Sequence, residues 1–363
     1  MGRLVLPEDI SKYKMISNPS FSPDGKKIAV SVHQANLEDD IYTSDVWLAS
    51  SDGSGMTRFT YGRRDYDPVW SPDGREILFL SRRSLAKDEK GNELYVVSAS
   101  GGEARRILRR KEGIEGPQWA GDSSSICFVS PVTDEEKDDV HVVRRMGLWY
   151  NGKGFTYNSR THVFVVNLRT GEARQLTAGN FDVTEVRPSH DGKRVAYLTA
   201  LDDMKPYIID LYVRELETGD ELKLTSSDMS VTTLAWSPDD GEIAFTGNRL
   251  AHGFASHDHV WVVRAGGGSR PAQVERADRN KANTLNSDVR TKPHGPSHIL
   301  WEGDSVYFLQ ADGGAVHLLR LRPGNEAELV IGGERSVEGF DVKGKRVAFV
   351  AMDSHHPEEL YLK

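Results

Sequence analysis

Cysteine is nearly missing from this chain. Cys127 stands alone within Ser125-Ile126-Cys127-Phe128-Val129, so no internal disulfide can form, and its apolar neighbours read as a buried strand. Long hydrophobic runs are missing too. No segment approaches the roughly 20 apolar residues that span a bilayer, and the opening Met1-Gly2-Arg3-Leu4-Val5-Leu6 lacks the apolar stretch of a signal peptide. Cytoplasmic residence, away from membranes, is the default expectation. Positive charge is also short: 46 Lys and Arg against 54 Asp and Glu leave a net charge of -8, which argues against a nucleic-acid partner. The one basic run, Arg105, Arg106, Arg109, Arg110 and Lys111, lies between strand-like segments and reads as a solvated turn. Helical periodicity is confined to a short stretch at 7–13.

What the chain does have is a repeat. Ser22-Pro23-Asp24-Gly25 returns as Ser71-Pro72-Asp73-Gly74, as Ser189-His190-Asp191-Gly192, and with one inserted residue as Ser237-Pro238-Asp239-Asp240-Gly241. Weaker copies are Gly121-Asp122-Ser123, Gly303-Asp304-Ser305 and Lys343-Gly344-Lys345. Each is a tight turn: proline presets φ, aspartate bonds the local backbone, and glycine takes the positive φ that closes the hairpin. A β-rich segment follows each turn, then a second strand such as Asp45-Val46-Trp47-Leu48-Ala49 or His259-Val260-Trp261-Val262-Val263. Seven four-stranded antiparallel units of this kind close a ring, so the expected fold is all-β, a seven-bladed β-propeller forming one domain over 1–363. The expected blades are approximately 15–65, 66–113, 114–182, 183–230, 231–284, 285–336 and 337–363. Trp70, Trp119 and Trp236, each just before a turn, read as packing between blades.

Two irregularities stand out. The third unit carries an insertion over about 132–159, and a polar loop runs over about 270–297; long loops on a rigid scaffold are where binding concentrates. The seventh unit ends at Glu359-Leu360-Tyr361-Leu362-Lys363 without a closing strand. Its last blade is therefore expected to be incomplete. Arg3-Leu4-Val5-Leu6 is a candidate to fill the gap; an uncovered apolar edge would favour homo-oligomers.

The turn motif, the segment Arg144-Arg145-Met146-Gly147-Leu148-Trp149-Tyr150-Asn151-Gly152-Lys153-Gly154-Phe155, and the tail from Ser336-Val337-Glu338-Gly339-Phe340-Asp341 to Pro357-Glu358-Glu359-Leu360-Tyr361-Leu362 are similar to acylaminoacyl peptidases. These belong to the prolyl oligopeptidase family of serine peptidases. The resemblance covers the family's N-terminal propeller only. It implies that the ring caps an α/β-hydrolase catalytic domain, limits access to short peptides (N-acylated or oligopeptide), lends side chains to the pocket, and needs no cofactor. The nucleophile elbow of the hydrolase domain is glycine-x-serine-x-glycine. Gly121/Ser123, Gly267/Ser269, Gly295/Ser297 and Gly303/Ser305 all lack the second glycine, so no catalytic residue is expected here. Substrate-binding candidates carried over by the resemblance are Arg144, Arg145, Tyr150 and Phe155: arginine for a peptide carboxylate, an aromatic for a pocket wall.

Other patterns carry less. Residues 147–154 nearly form a phosphate loop, but Gly154 stands where serine or threonine should follow the lysine. His252, His257, Asp258 and His259 have ligand-type spacing and would suit a metal-dependent propeller lyase; a surface loop leading into a strand explains them as well, and no metal is expected. His355-His356-Pro357 reads as a loop, and the acidic run 134–139 as solvated surface. The alternative to a peptidase propeller is a free-standing scaffold for protein–protein interaction.

Overall fold

The computed structural model describes residues 3–134, 143–147, 149–150, 154–285 and 298–363. These form seven antiparallel sheets arranged as blades, plus a small hairpin. In the first blade the strands Met15–Phe21, Lys27–Asn36, Ile41–Ser50 and Met56–Arg58 lie side by side in chain order. The same meander recurs over 65–110, 115–175, 182–223, 230–273 and 299–331. The seventh blade has three strands, Ser336–Lys343, Arg346–Met352 and Glu359–Leu362. One parallel bridge, Val316 to Ser336, joins it to the sixth.

The repeated turn works as its residues require, with one part the sequence left unstated. Gly25 adopts φ +68° and donates its N–H to the Ser22 carbonyl at 2.8 Å. The Ser22 hydroxyl donates to Asp24 Oδ1 (2.7 Å) and accepts from the Lys27 N–H (2.9 Å), while Asp24 Oδ1 also accepts from the Lys26 N–H (3.0 Å). Ser71/Asp73 and Ser189/Asp191 repeat this geometry. Serine and aspartate thus satisfy the donors that the tight turn exposes.

The core is divided among the blade interfaces. One apolar cluster sits at each; Ala196, Leu211, Leu234, Trp236 and Phe245 between the fourth and fifth blades are typical. The same logic closes the ring between the first and seventh blades, through Phe21, Ile28, Val30 and Ala348. That seam is pinned by the Phe21 N–H donating to Asp341 Oδ2 (2.6 Å) and by Arg346 Nη1 donating to the Gly25 carbonyl (2.7 Å). Arg3-Leu4-Val5-Leu6 does not complete the seventh blade, which corrects that expectation. Asp9 holds this stretch instead, accepting from the Leu6 N–H (2.9 Å) and pairing with Arg3; the short helix begun by Pro7 is a 3-10 turn, Pro7–Lys12. Among the described residues Glu359–Leu362 pairs with Arg346–Met352 alone.

Insertions therefore gather on one side of the disc. The turns after first and third strands adjoin each other, as the Ser51 N–H to Lys26 carbonyl bond (2.9 Å) shows. The loops after second strands adjoin the links between blades, as the Ile209 N–H to Met229 carbonyl bond (3.2 Å) shows. One face carries short turns and the other the long loops. No helix among the described residues is long and apolar enough to cross a membrane.

Candidate functional site

Strand alternation determines which side chains reach the axis. On every innermost strand the residue just before the turn points into a blade interface, and the residue before that points into the channel. The first set includes Trp70, Trp119, Trp236 and Trp301, all buried. The Trp119 indole donates to the Val69 carbonyl (3.0 Å) and the Trp236 indole to the Arg187 carbonyl (2.9 Å), each on the innermost strand of the preceding blade. The second set is Ser20, Val69, Gln118, Arg187, Ala235, Leu300 and Asp341, one per blade, all lining the channel.

Two connected cavities occupy that channel. One, of about 360 Å³, opens beside the tryptophans on the short-turn side; the other, of about 350 Å³, reaches Asn18, Asp67, Phe340 and Asp341. Val69, Gln118, Arg187, His298 and Leu300 line both, so they form the neck between them. Arg187 is half-buried, with Nε bonded to Glu185 Oε1 at 2.7 Å. Glu185 also accepts from the Thr233 hydroxyl (3.2 Å). The His298 ring meets Phe340 edge-on with centroids 4.7 Å apart. Burial, helped by the Arg187 charge, pushes its pKa down to about 3, so it is a neutral imidazole. Next to Phe340 on the seventh blade, Asp341 accepts from the Phe21 and Val342 N–H groups, at 2.6 and 2.8 Å. Burial outweighs those bonds and pushes its carboxyl up to about 6.

The third-blade insertion lies on the long-loop face. Its flanking strands pair without a break from Ser125 opposite Asn167 to Thr133 opposite Ser159. Arg144 is exposed and holds no partner among the described residues. Arg145 is engaged: it pairs with Asp182 and donates to the Ser159 carbonyl (2.8 Å). Arg160 grips Asp203 with two bonds of 2.6 and 2.7 Å, and the Met146 N–H donates to the Asp203 carbonyl (3.0 Å). This two-pronged pair latches the insertion to the fourth blade and holds the Asp203 carboxyl below its ordinary range. Phe155 is 67% exposed, beside exposed Trp149. The Tyr150 backbone pairs with Gly154, but its side chain lies outside the described residues. The structure thus gathers these candidates on one insertion while the channel residues form a separate group.

Set against known families, residues 84–357 match the acylaminoacyl-peptidase N-terminal β-propeller domain. The chain belongs to that family. Residues 8–145 also match the TolB β-propeller domain. An uncharacterized peptidase of Bacillus subtilis, YuxL, is 33% identical over 229 residues, which cover 59% of this chain and 34% of that protein. Dipeptidyl-peptidase 5 of Porphyromonas endodontalis is 25% identical over 262 residues, covering 65% of this chain and 37% of its own length. The chain thus spans little more than a third of these curated relatives. Among solved structures, Pyrococcus horikoshii acylaminoacyl peptidase superposes with a TM-score of 0.76 at 19% identity, over 97% of this chain and 51% of that one. The β-propeller domain of the Trilobed protease from Pyrococcus furiosus, described as having an open velcro topology, gives 0.68 at 17% identity, over 97% and 93%.

In this acylaminoacyl-peptidase propeller the histidine cluster is dispersed. His257 Nδ1 lies 2.9 Å from Asp278, Asp258 accepts from Thr232 (2.7 Å) and Asn248 (2.6 Å), and His259 turns towards Glu275. Among the described residues no three His, Cys, Asp or Glu side chains converge as metal ligands. The near-phosphate loop lies partly outside the described residues, and its described end, Gly154, begins the short strand Gly154–Phe155 rather than a helix. Most of the acidic run 134–139 and the second half of the loop 270–297 also lie outside them. The first half of that loop is tied down: Lys281 is fully buried, bonded to Glu275 (2.9 Å) and the Arg279 carbonyl (2.8 Å), and Asn283 reaches the Val337 carbonyl (3.0 Å). The sequence reading missed Gln118, Arg187, His298 and Asp341. Counting two residues back from each turn would have found three of them, and four back the histidine.

Proposed function

We propose that this propeller serves as the access domain of a peptidase, seating its long-loop face on an α/β-hydrolase domain and admitting short peptides. One observation carries the reading: among the described residues, exposed large apolar side chains concentrate on that face. Leu37, Tyr42, Met146, Trp149, Phe155, Leu201, Met204 and Phe254 all sit there. A surface of that kind is left for a partner. Arg144, Arg145, Tyr150 and Phe155 would lie at the edge of the enclosed space, with Phe155 free to wall a pocket and Arg145 holding the insertion in place.

The test is to mix the chain with the α/β-hydrolase segment of a relative such as the Bacillus peptidase. Association and hydrolysis of a 3-residue against a 30-residue peptide are then measured. Association with selective loss of long-peptide cleavage supports the reading. No association, or equal cleavage of both peptides, overturns it in favour of a free-standing scaffold.

A further inference from the structure

The neck of the channel presents an arrangement that packing does not account for. Arg187 uses only Nε within the fold; Nη1 and Nη2 hold no hydrogen bond among the described residues. Neither the Gln118 amide nor the His298 ring nitrogens hold one either, though all three side chains line both cavities. Fully buried donors find acceptors inside a fold; these half-buried ones are left to whatever enters the channel. Here they border the same neck from the third, fourth and sixth blades, facing space. Glu185 fixes the guanidinium through Nε and leaves its outer edge presented, the edge that receives a carboxylate with two parallel bonds. Apolar Val69 and Leu300 line the same neck, and a charged hydrogen bond is stronger beside low-dielectric walls than in open water. The mouth-side cavity, about 360 Å³ and bordered by four tryptophans, is within the size range of small-ligand sites.

We propose that Arg187, with Gln118 and His298 beside it, forms a carboxylate-binding subsite in the channel that holds the free C-terminus, or an acidic side chain, of a short peptide. This rests on the reading that peptides are what the ring meets. It adds where one is held and which group is recognised. One feature works against an anion at this place. Asp341 occupies the position equivalent to Arg187 on the seventh blade, so its charge weakens binding rather than helping it. Substitutions at the two residues therefore have opposite effects.

The experiment uses the chain alone, without any hydrolase domain, so its failure is separable from failure of the docking reading. Three probes are titrated: N-acetyl-trialanine with a free carboxylate, its C-terminal amide, and N-acetyl-Ala-Glu-Ala amide. Binding is followed by calorimetry and by fluorescence of the channel tryptophans. The free acid is expected to bind at least about tenfold more tightly than the amide. Arg187→Gln should erase that difference, and Asp341→Asn should tighten binding severalfold, a gain that misfolding cannot imitate. Binding of the glutamyl amide would identify any carboxylate as the ligand; its failure, with the acid bound, would identify the C-terminus. Equal binding of acid and amide, no binding of any probe, or an acid preference that survives Arg187→Gln would each overturn the proposal.

Discussion

The two faces of the disc are built from the same seven meanders and differ in what they leave unsatisfied. On the short-turn face the repeated turns complete their own hydrogen bonds, and several then lock onto a neighbour. Asp240, the residue inserted in the fifth turn, sits at φ +56° and accepts from the His190 N–H (2.9 Å), the Asp191 N–H (2.8 Å) and His190 Nδ1 (2.8 Å) of the fourth blade. Arg346 makes the corresponding lock across the seam. None of that face's described turns exposes a large apolar side chain. The long-loop face has its polar latches half-buried at the loop roots, as at Arg160 and Asp203, and turns Trp149, Phe155, Met204 and Phe254 outward. A loop that closes its own bonds in four or five residues has no room for variation. A longer one can latch at its base and present what it likes at its tip.

If the comparison holds, damage to the short-turn face should appear as lost stability. The largest effect is expected at Gly121, where an added Cβ would stand 1.8 Å from the His190 carbonyl oxygen. Gly121→Ala should lower the unfolding free energy by about 3 kcal/mol or more, read from denaturant midpoints.

Next comes pH, which acts where the channel meets the short turns. The Asp341 carboxyl is raised from 3.8 to about 6. Its contribution to stability is therefore full below pH 3.8 and is lost as pH rises through 6. His298, lowered from 6.5 to about 3, acts in the opposite sense: its contribution is present above pH 6.5 and falls away on acidification. Comparing Asp341→Asn with the parent between pH 4 and 7 should show a difference changing by roughly 2–3 kcal/mol. A flat difference would mean that Asp341 is solvated and the seam looser than described.

Asp240→Ala removes three bonds between the fourth and fifth blades at once and should cost about 2 kcal/mol, again in denaturant midpoints. The smallest stability effect belongs to the long-loop face. Phe155→Ser should change stability by less than about 0.5 kcal/mol while weakening association with a hydrolase partner about tenfold. An equal stability loss there would erase the distinction between the faces.

The ring was legible because its signal is local and repeated. Proline, aspartate and glycine at fixed offsets mark a turn whatever surrounds them, and seven such turns with β-rich flanks leave few alternatives to a propeller. The insertion was legible as an excess of length. The channel wall was not, because nothing about Arg187 or Gln118 marks it as facing the axis: Arg187 is one arginine among 46 basic residues. Residue type drew attention instead to Arg145 and to the histidine cluster. The structure commits Arg145 to Asp182 and His257 to Asp278, pairings across 37 and 21 residues of sequence that no local pattern announces.

By itself, then, the sequence determined the turns, the strand alternation and the count of blades, since each depends on neighbours within a few residues. Tertiary structure decided which face gathers the exposed apolar side chains. It also decided that Asp341 closes the seam onto Phe21, 320 residues away in sequence, and that Arg187, Gln118 and His298 border one neck. Those outcomes depend on the ring closing. Closure fixes the distances between residues far apart in the chain, and side-chain chemistry can act only once those distances are set.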